Sequence, residues 1–262
     1  MIETDRKQSL LLNVERDEKI LSLLASQGPL RVSVLSVALG VSEPTVRRDL
    51  VRLGKNHQIR RVHGGAMLES ETIFEPPVLL RRSLNKPEKK RIGKAVADLI
   101  DANETIILMG GSTTLEIVPY LKGRSNLTII TDSLMIANAL AKLGDTCIIL
   151  GGNLVSSELT VEGHLTQLCL SELQANKAII GVRAVNFEQG LMLDRLSEIG
   201  TFRACMSVAR EVILVVDHNK FAAVGTAVLG PLTMVQTVVT DDEVEPDILL
   251  RLGKLGIRVI LA

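Results

Sequence analysis

Arginines at 47, 48, 52, 60 and 61, hydroxyls at Ser42 and Thr45 and the imidazole of His63 crowd one short stretch of this chain. Such a set is suited to gripping phosphate oxygens and reading the edges of bases. Between Glu43 and His63 six basic residues (Arg47, Arg48, Arg52, Lys55, Arg60, Arg61) face two acids, Glu43 and Asp49, while the whole chain balances 30 Lys and Arg against 30 Asp and Glu. The excess is local, as a phosphate-binding element in an otherwise neutral protein requires. A second set is dispersed over the rest of the sequence: Gly110-Gly111-Ser112-Thr113-Thr114, Thr131-Asp132-Ser133, Gly151-Gly152-Asn153, Gly181-Val182-Arg183, Glu198 with Arg203, and Asp217-His218-Asn219-Lys220. Backbone N–H groups where a strand gives way to a helix, with hydroxyls at 112 to 114, form an anion cradle without formal charge. The segment lacks the lysine of a Walker loop and the spacing of a dinucleotide fingerprint, so a glycine turn with Ser/Thr capping is the plain alternative.

The elements that must position the first set can be read from spacing. Ser42 stands where an N-cap belongs, its hydroxyl able to accept from a backbone N–H, and Pro44 sits in the first turn, so a helix starts at Glu43. Val46, Leu50 and Leu53 give that helix an apolar stripe and leave Thr45, Arg47, Arg48 and Arg52 on or near the other face. On its own the run also suits a solvated face with i,i+4 pairs. Its neighbours favour the first reading. Asp17 to Gln27 predicts a helix with Ile20, Leu21 and Leu24 inward, stopped by Gly28-Pro29. Ser33 to Leu39 predicts a second with Leu35 and Leu39 inward, and Gly40 permits a tight turn into the third. Gln58 to Val62 and Ala66 to Leu68 can pair as a ribbon about His63-Gly64-Gly65. The sum is a winged helix-turn-helix over residues 1–68.

Residues 69–87, with Glu75-Pro76-Pro77 and a run of charges, read as a linker. From there to residue 262 the chain alternates helices with apolar runs. A helix is expected from Pro87 to about Ile100, and strands at Thr105 to Met109, Leu127 to Thr131, Thr146 to Leu150, Lys177 to Val182, Glu211 to Asp217, Thr237 to Thr240 and Arg258 to Leu261. Continuous apolar strands separated by helices make a largely parallel sheet covered on both faces, an α/β domain over residues 88–262. In such a sheet the ligand crevice lies beyond the carboxyl ends of the strands, where the second residue set collects.

Composition narrows the chemistry. With four Phe, one Tyr and no Trp the chain lacks stacking platforms for single strands or RNA. Cys147, Cys169 and Cys205 are odd in number and lack metal-ligand spacing, which predicts reduced core thiols in a cytoplasmic protein and no metal site. No apolar run approaches a membrane span and the N-terminus does not read as a signal peptide.

The order V-S-x-x-T-V-R-R-D-L at 41–50, Leu53, and R-R-V-H-G-G-A at 60–66 closely resembles the DNA-binding domain of DeoR-type bacterial transcriptional regulators, and the similarity runs through most of the chain. The resemblance implies that Thr45, Arg47 and Arg48 enter the major groove and that Arg60, Arg61 and His63 lie along the backbone. It also implies a sensor domain similar to ribose-phosphate isomerase and glucosamine-phosphate deaminase, sensing phosphorylated sugars or related metabolites. Phosphate is then expected at Gly111, Ser112, Thr113 and Thr114, with sugar or phosphate contacts from Asp132, Gly152, Arg183, Glu198 and Lys220. Four positions depart from the family pattern: His57 stands for a usual glycine at the helix end, Met109 for an acidic residue, Asp132 for Asn and Phe202 for Lys. A carboxylate in place of an amide exchanges donors for negative charge.

These features predict a homo-oligomer, dimer or tetramer, that represses transcription at a duplex operator and is released by a small anionic metabolite, with no cofactor and no membrane partner. The alternative is a sugar-phosphate isomerase, for which Asp132, Glu198, Asp217 and Lys220 are the candidate acids and bases. A scaffold that binds DNA without any ligand response is the third reading.

Overall fold

Burial of three short apolar stripes organises the N-terminal part. The computed structural model describes residues 16–262 apart from 18, 22, 25–27, 56–58, 63, 69–74, 125 and 144–145. Residues 16, 17, 19–21, 23 and 24 are helical (α1), followed by β1 (Leu30–Arg31), α2 (Val32–Leu39), α3 (Glu43–Lys55), β2 (Ile59–Val62) and β3 (Gly65–Leu68). Ile20, Leu21 and Leu24 of α1, Val32 and Leu35 of α2, Val46, Leu50 and Leu53 of α3, and Ile59 and Ala66 of the ribbon form one buried cluster. Each large member contributes about 1.5–3 kcal/mol by leaving water. Gly40 ends α2 at φ 65°, and its N–H reaches the carbonyls of Ser36 and Val37. The ribbon gains a third strand that periodicity did not signal: β1 pairs with β3, giving the order β1-β3-β2. This approach is so close that a Cβ on Gly65 would lie 2.1 Å from the Leu30 carbonyl oxygen. Gly65 is therefore a packing requirement of the wing. The expectations placed on His57, His63 and the end of the first helix fall outside the described residues.

The remainder is an α/β domain. A seven-stranded sheet has the order β15-β14-β12-β9-β4-β5-β6, formed by Arg258–Leu261, Thr237–Thr240, Ala209–Val215, Ala175–Ile180, Thr105–Leu108, Thr128–Thr131 and Thr146–Ile149, and every adjacent pair is parallel. Alternate residues divide between two cores: Ile107, Ile130, Ala178, Ile180 and Leu214 face one, and Ile106, Ile129, Ile179, Ile213 and Val215 the other. Two-sided burial is the reason these strands read as unbroken apolar runs. The chain first walks outward from β4 through β5 to β6, then returns to the other side of β4 and walks through β9, β12, β14 and β15. The reversal between β4 and β9 is a topological switch point.

Small antiparallel elements decorate the carboxyl end of the sheet: a pair β7 (Asn153–Val155) and β8 (Thr160–Glu162), and a three-stranded sheet of β10 (Ala184–Asn186), β11 (Gly190–Leu193) and β13 (Ala227–Gly230). The segment after β4 is not the expected α-helix but a 3₁₀ helix, Thr114–Tyr120, with Pro119 inside it. Proline removes an N–H and favours a short, tight turn. Of the cysteines only Cys205 is buried; Cys169, expected in the core, is exposed on the helix His164–Ser171.

The chain divides into two units, Met1–Thr72 with Leu79–Leu84, and Ile73–Val78 with Asn85–Ala262. The described part of the expected linker is thus shared. Val78 is buried and donates its N–H to the Ser157 carbonyl (2.9 Å) in the second unit, whereas Leu80 packs on the apolar cluster of the first.

Candidate functional site

Of the residues expected to face DNA on α3, Arg47 and Arg48 are exposed, as is Ser42 just before the helix, while Thr45 is half-buried. Ser42 does not cap through a backbone N–H: its hydroxyl meets the Thr45 hydroxyl at 2.9 Å, and its carbonyl accepts from Thr45 and Val46. Arg47 pairs with Glu43 one turn back at 3.1 Å, both side chains in solvent, an interaction weak enough to yield to a stronger anion. The ribbon presents Arg60 and Arg61, both exposed.

Arg52 belongs elsewhere. Expected on the outward face, it instead forks onto Asp17 of α1 (2.7 and 2.9 Å) and reaches Asp49 (2.7 Å). Arg16 grips the same Asp49 at 2.8 and 3.1 Å. Asp49 is 2% exposed. Burial works against its ionisation, and the bonds from Arg16 and Arg52 overcome it, holding its pKa below the usual carboxylate value. This Arg16–Asp49–Arg52–Asp17 network ties α3 to α1. It fixes the orientation of the exposed arginines, and helical periodicity alone gave no sign of it.

In the second unit four of the predicted residues fall into two groups, Asp132 with Glu198 and Arg183 with Lys220. Around one cleft stand Met109, Gly110, Asp132, Glu162, Glu198 and Phe202, so three departures from the family pattern share one wall. Asp132 follows β5, is 4% exposed and accepts the Gly110 N–H at 2.7 Å. A Cβ at Gly110 would lie 3.4 Å from that carboxylate and 2.2 Å from the Thr160 methyl, which explains a glycine there. Burial, followed by the like charges of Glu198 and Glu162, raises the Asp132 pKa to about 7. The neighbouring Ser133, not Asp132, caps the next helix by accepting from Ile136 N–H. Glu198 is also raised by burial, although Arg195, which bridges it to Glu162, opposes the shift. Gly152 has a packing reason of its own: a Cβ there would meet the Thr166 hydroxyl at 2.2 Å.

The second group holds the cations. Arg183, after β9, and Lys220, after β12, both contact Oε1 of Glu75, Arg183 at 3.4 Å. Arg183 Nε faces Asp194 at 3.3 Å, and Asp194 in turn accepts the Glu75 N–H at 2.7 Å. Burial depresses the Lys220 pKa to about 8. Glu75 carries no local signal because its partners Arg183, Asp194 and Lys220 all lie more than a hundred residues away. Ser112, Thr113 and Thr114 are buried at the carboxyl end of β4, and the Thr114 hydroxyl donates to the Gly111 carbonyl (3.1 Å). His218 packs on Asp241, with Nδ1 at 2.9 Å and its backbone N–H donating to the same carboxylate.

Comparison with known proteins fits both units. Residues 16–72 match the DeoR-like helix-turn-helix domain, and residues 84–242 match the DeoR C terminal sensor domain. The glycerol-3-phosphate regulon repressor of Escherichia coli (strain K12) is 34% identical over 228 residues, 87% of this chain and 90% of that protein. A putative aga operon transcriptional repressor of Escherichia coli O157:H7 is 30% identical over 250 residues, 94% of this chain and 93% of the relative. Among solved structures, the full-length sorbitol operon regulator SorC from Klebsiella pneumoniae shares 13% identity with a TM-score of 0.42, covering 90% of this chain and 98% of that one. Ribose 5-phosphate isomerase from Plasmodium falciparum shares 17% with a TM-score of 0.38, over 51% and 52%, so both structural likenesses are remote. With a helix-turn-helix head, a sensor domain matched over most of its length and relatives at this identity, the chain belongs to the DeoR family of transcriptional regulators.

Proposed function

We propose that this regulator is a repressor that binds its operator through α3 and the wing, as a dimer or tetramer, and is controlled by a small phosphorylated metabolite at the carboxyl end of the parallel sheet. One observation carries the sensing half: the switch point between β4 and β9 is flanked by Gly110–Thr114 on one side and Arg183 on the other, with Lys220 one strand further on. Ser42, Thr45, Arg47 and Arg48 read the operator, and Arg60, Arg61 and His63 hold its backbone. Arg52 is left to brace the helix.

The two groups in the sensor suit the two ends of one ligand. Asp132, Glu162 and Glu198 make the cleft acidic, so it repels a phosphate and accepts hydrogen bonds from hydroxyl groups. The phosphate then belongs with Arg183 and Lys220, or with the backbone of Gly111 to Thr114, and a phosphorylated sugar or polyol fits this division. A relative named for the glycerol-3-phosphate regulon supports that class of effector. Regulation requires only that the ligand bind two arrangements of the protein unequally, so no chemistry is needed from Asp132 or Lys220. The test is binding of the full chain to a duplex from upstream of its own gene, with glycerol 3-phosphate and hexose phosphates added in turn. Relief by one of them supports the proposal; sugar-phosphate turnover lost in Glu198→Gln would favour the isomerase reading instead.

A further inference from the structure

Arg183 and Lys220 are not waiting in open solvent for an anion; a carboxylate already sits between them. Glu75 supplies it, from the stretch Glu75-Pro76-Pro77-Val78 that leads toward the DNA-binding unit. Its side chain is 9% exposed. The stretch is pinned at both ends, by the Glu75 N–H on Asp194 (2.7 Å) and by the Val78 N–H on the Ser157 carbonyl (2.9 Å). Pro76 and Pro77 between the pins restrict the backbone, so the four residues behave as a stiff strap. Two positions beyond Val78, Leu80 is part of the apolar cluster of the first unit.

We propose that Glu75 is a built-in occupant of the anion site formed by Lys220 and Arg183, which the phosphate of an incoming ligand must displace, so that ligand entry releases the strap. This rests on the reading of Arg183 and Lys220 as effector contacts. The guanidinium is held imperfectly, at 3.4 Å from Glu75 and 3.3 Å from Asp194, and its Nε, though buried, has no aligned hydrogen bond. Charge-assisted pairs of good geometry lie nearer 2.7–2.9 Å. A tetrahedral oxyanion brings more oxygens and more charge than one carboxylate oxygen shared by two cations. Lys220, whose ammonium is disfavoured by burial, also gains from the larger negative charge. Once Glu75 is expelled, the stiff Pro-Pro segment passes its displacement to Val78 and, along the chain, to Leu80. Ligand binding is then linked to the DNA-binding unit through the chain itself.

The test uses the full-length protein and inorganic phosphate in chloride buffer, comparing wild type, Glu75→Gln, Lys220→Gln and the double variant by calorimetry, with hydrogen exchange at the Glu75 and Val78 amides. If the strap is open a tenth of the time or less, Glu75→Gln binds phosphate at least about tenfold more tightly than wild type. Phosphate added to wild type speeds exchange at both amides, and Lys220→Gln loses binding with or without Glu75. Equal affinity in wild type and Glu75→Gln, with loss in Lys220→Gln and unchanged exchange, would refute the strap while leaving the anion site standing. Phosphate binding indifferent to Lys220→Gln, or no binding by Glu75→Gln at any soluble concentration, would remove the site and the strap together.

Discussion

Asp132→Asn isolates the electrostatics of the sensor cleft. In the folded chain the Asp132 carboxyl is pushed up to about 7, from about 3.9 for an ordinary aspartate, because it is buried and faces Glu198 and Glu162. Between those two values the folded state holds a proton that the unfolded state has released, so this group's contribution to stability falls as pH rises. At 1.36 kcal/mol per unit the full span of the shift costs about 4 kcal/mol, of which roughly 2 is already present at pH 5. Asparagine keeps an acceptor for the Gly110 N–H and carries no charge at any pH. Its stability advantage over the wild type should therefore widen by about 2–3 kcal/mol between pH 5 and pH 8. The chain has one tyrosine and no tryptophan, and Tyr120 lies in the 3₁₀ helix of the sensor domain, so tyrosine fluorescence in a urea titration reports this domain alone. Protomer concentration must be held fixed across the series. A gap that stays constant with pH, or a variant less stable than wild type at pH 8, would show that Asp132 is not held in an ion-disfavouring site.

Three further expectations concern the DNA-binding unit. Arg48→Ala should cost about 1–3 kcal/mol on a specific operator and much less on random duplex if Arg48 reads a base; equal loss on both, by fluorescence anisotropy, marks a backbone contact. Asp49→Asn leaves Arg16 and Arg52 facing a neutral group and should destabilise the head by about 3 kcal/mol at neutral pH. Because the Asp49 pKa is depressed in the fold, its contribution is present above the unfolded value near 3.8 and fades as pH falls through the folded one, so wild type and variant should converge in acid when hydrogen exchange on α3 is followed. Gly65→Ala puts a methyl group into the β1 backbone and should weaken operator binding by distorting the wing, with α3 amide protection retained; unchanged affinity would mean that the strand pair can part at no cost.

The large features of this fold were legible because burial writes them into the sequence twice. Strands such as Thr237–Thr240, buried on both faces, and Arg258–Leu261, at the edge of the sheet, coincide with their apolar runs. The start of α3 was equally plain from Pro44 and the Val46–Leu50–Leu53 stripe. What periodicity could not show were the small antiparallel strands outside the main sheet, such as Asn153–Val155, whose three residues are largely exposed and too few to establish a pattern. Arg52 misled because helical phase fixes where a side chain leaves the backbone, whereas a long guanidinium bends toward whatever carboxylates the next helix supplies. The acidic cleft was half visible: Asp132 and Glu198 stood out, but Glu162 joins them because β8 lies along the segment after β5, with the Val161 N–H on the Asp132 carbonyl (2.9 Å). Glu75 was hidden altogether. Its partner Lys220 is 145 residues away, and the Pro-rich stretch around it has the composition of a free linker.

The most direct test of ligand-controlled repression is the affinity of the full-length protein for a labelled duplex from upstream of its own gene, measured at two salt concentrations with and without a panel of phosphorylated sugars and polyols. The account predicts binding that weakens steeply with salt, exceeds binding to random duplex, and is loosened by one member of the panel in wild type but not in Lys220→Gln. Binding that does not distinguish the two duplexes, or an operator affinity that no phosphorylated metabolite changes, would contradict it.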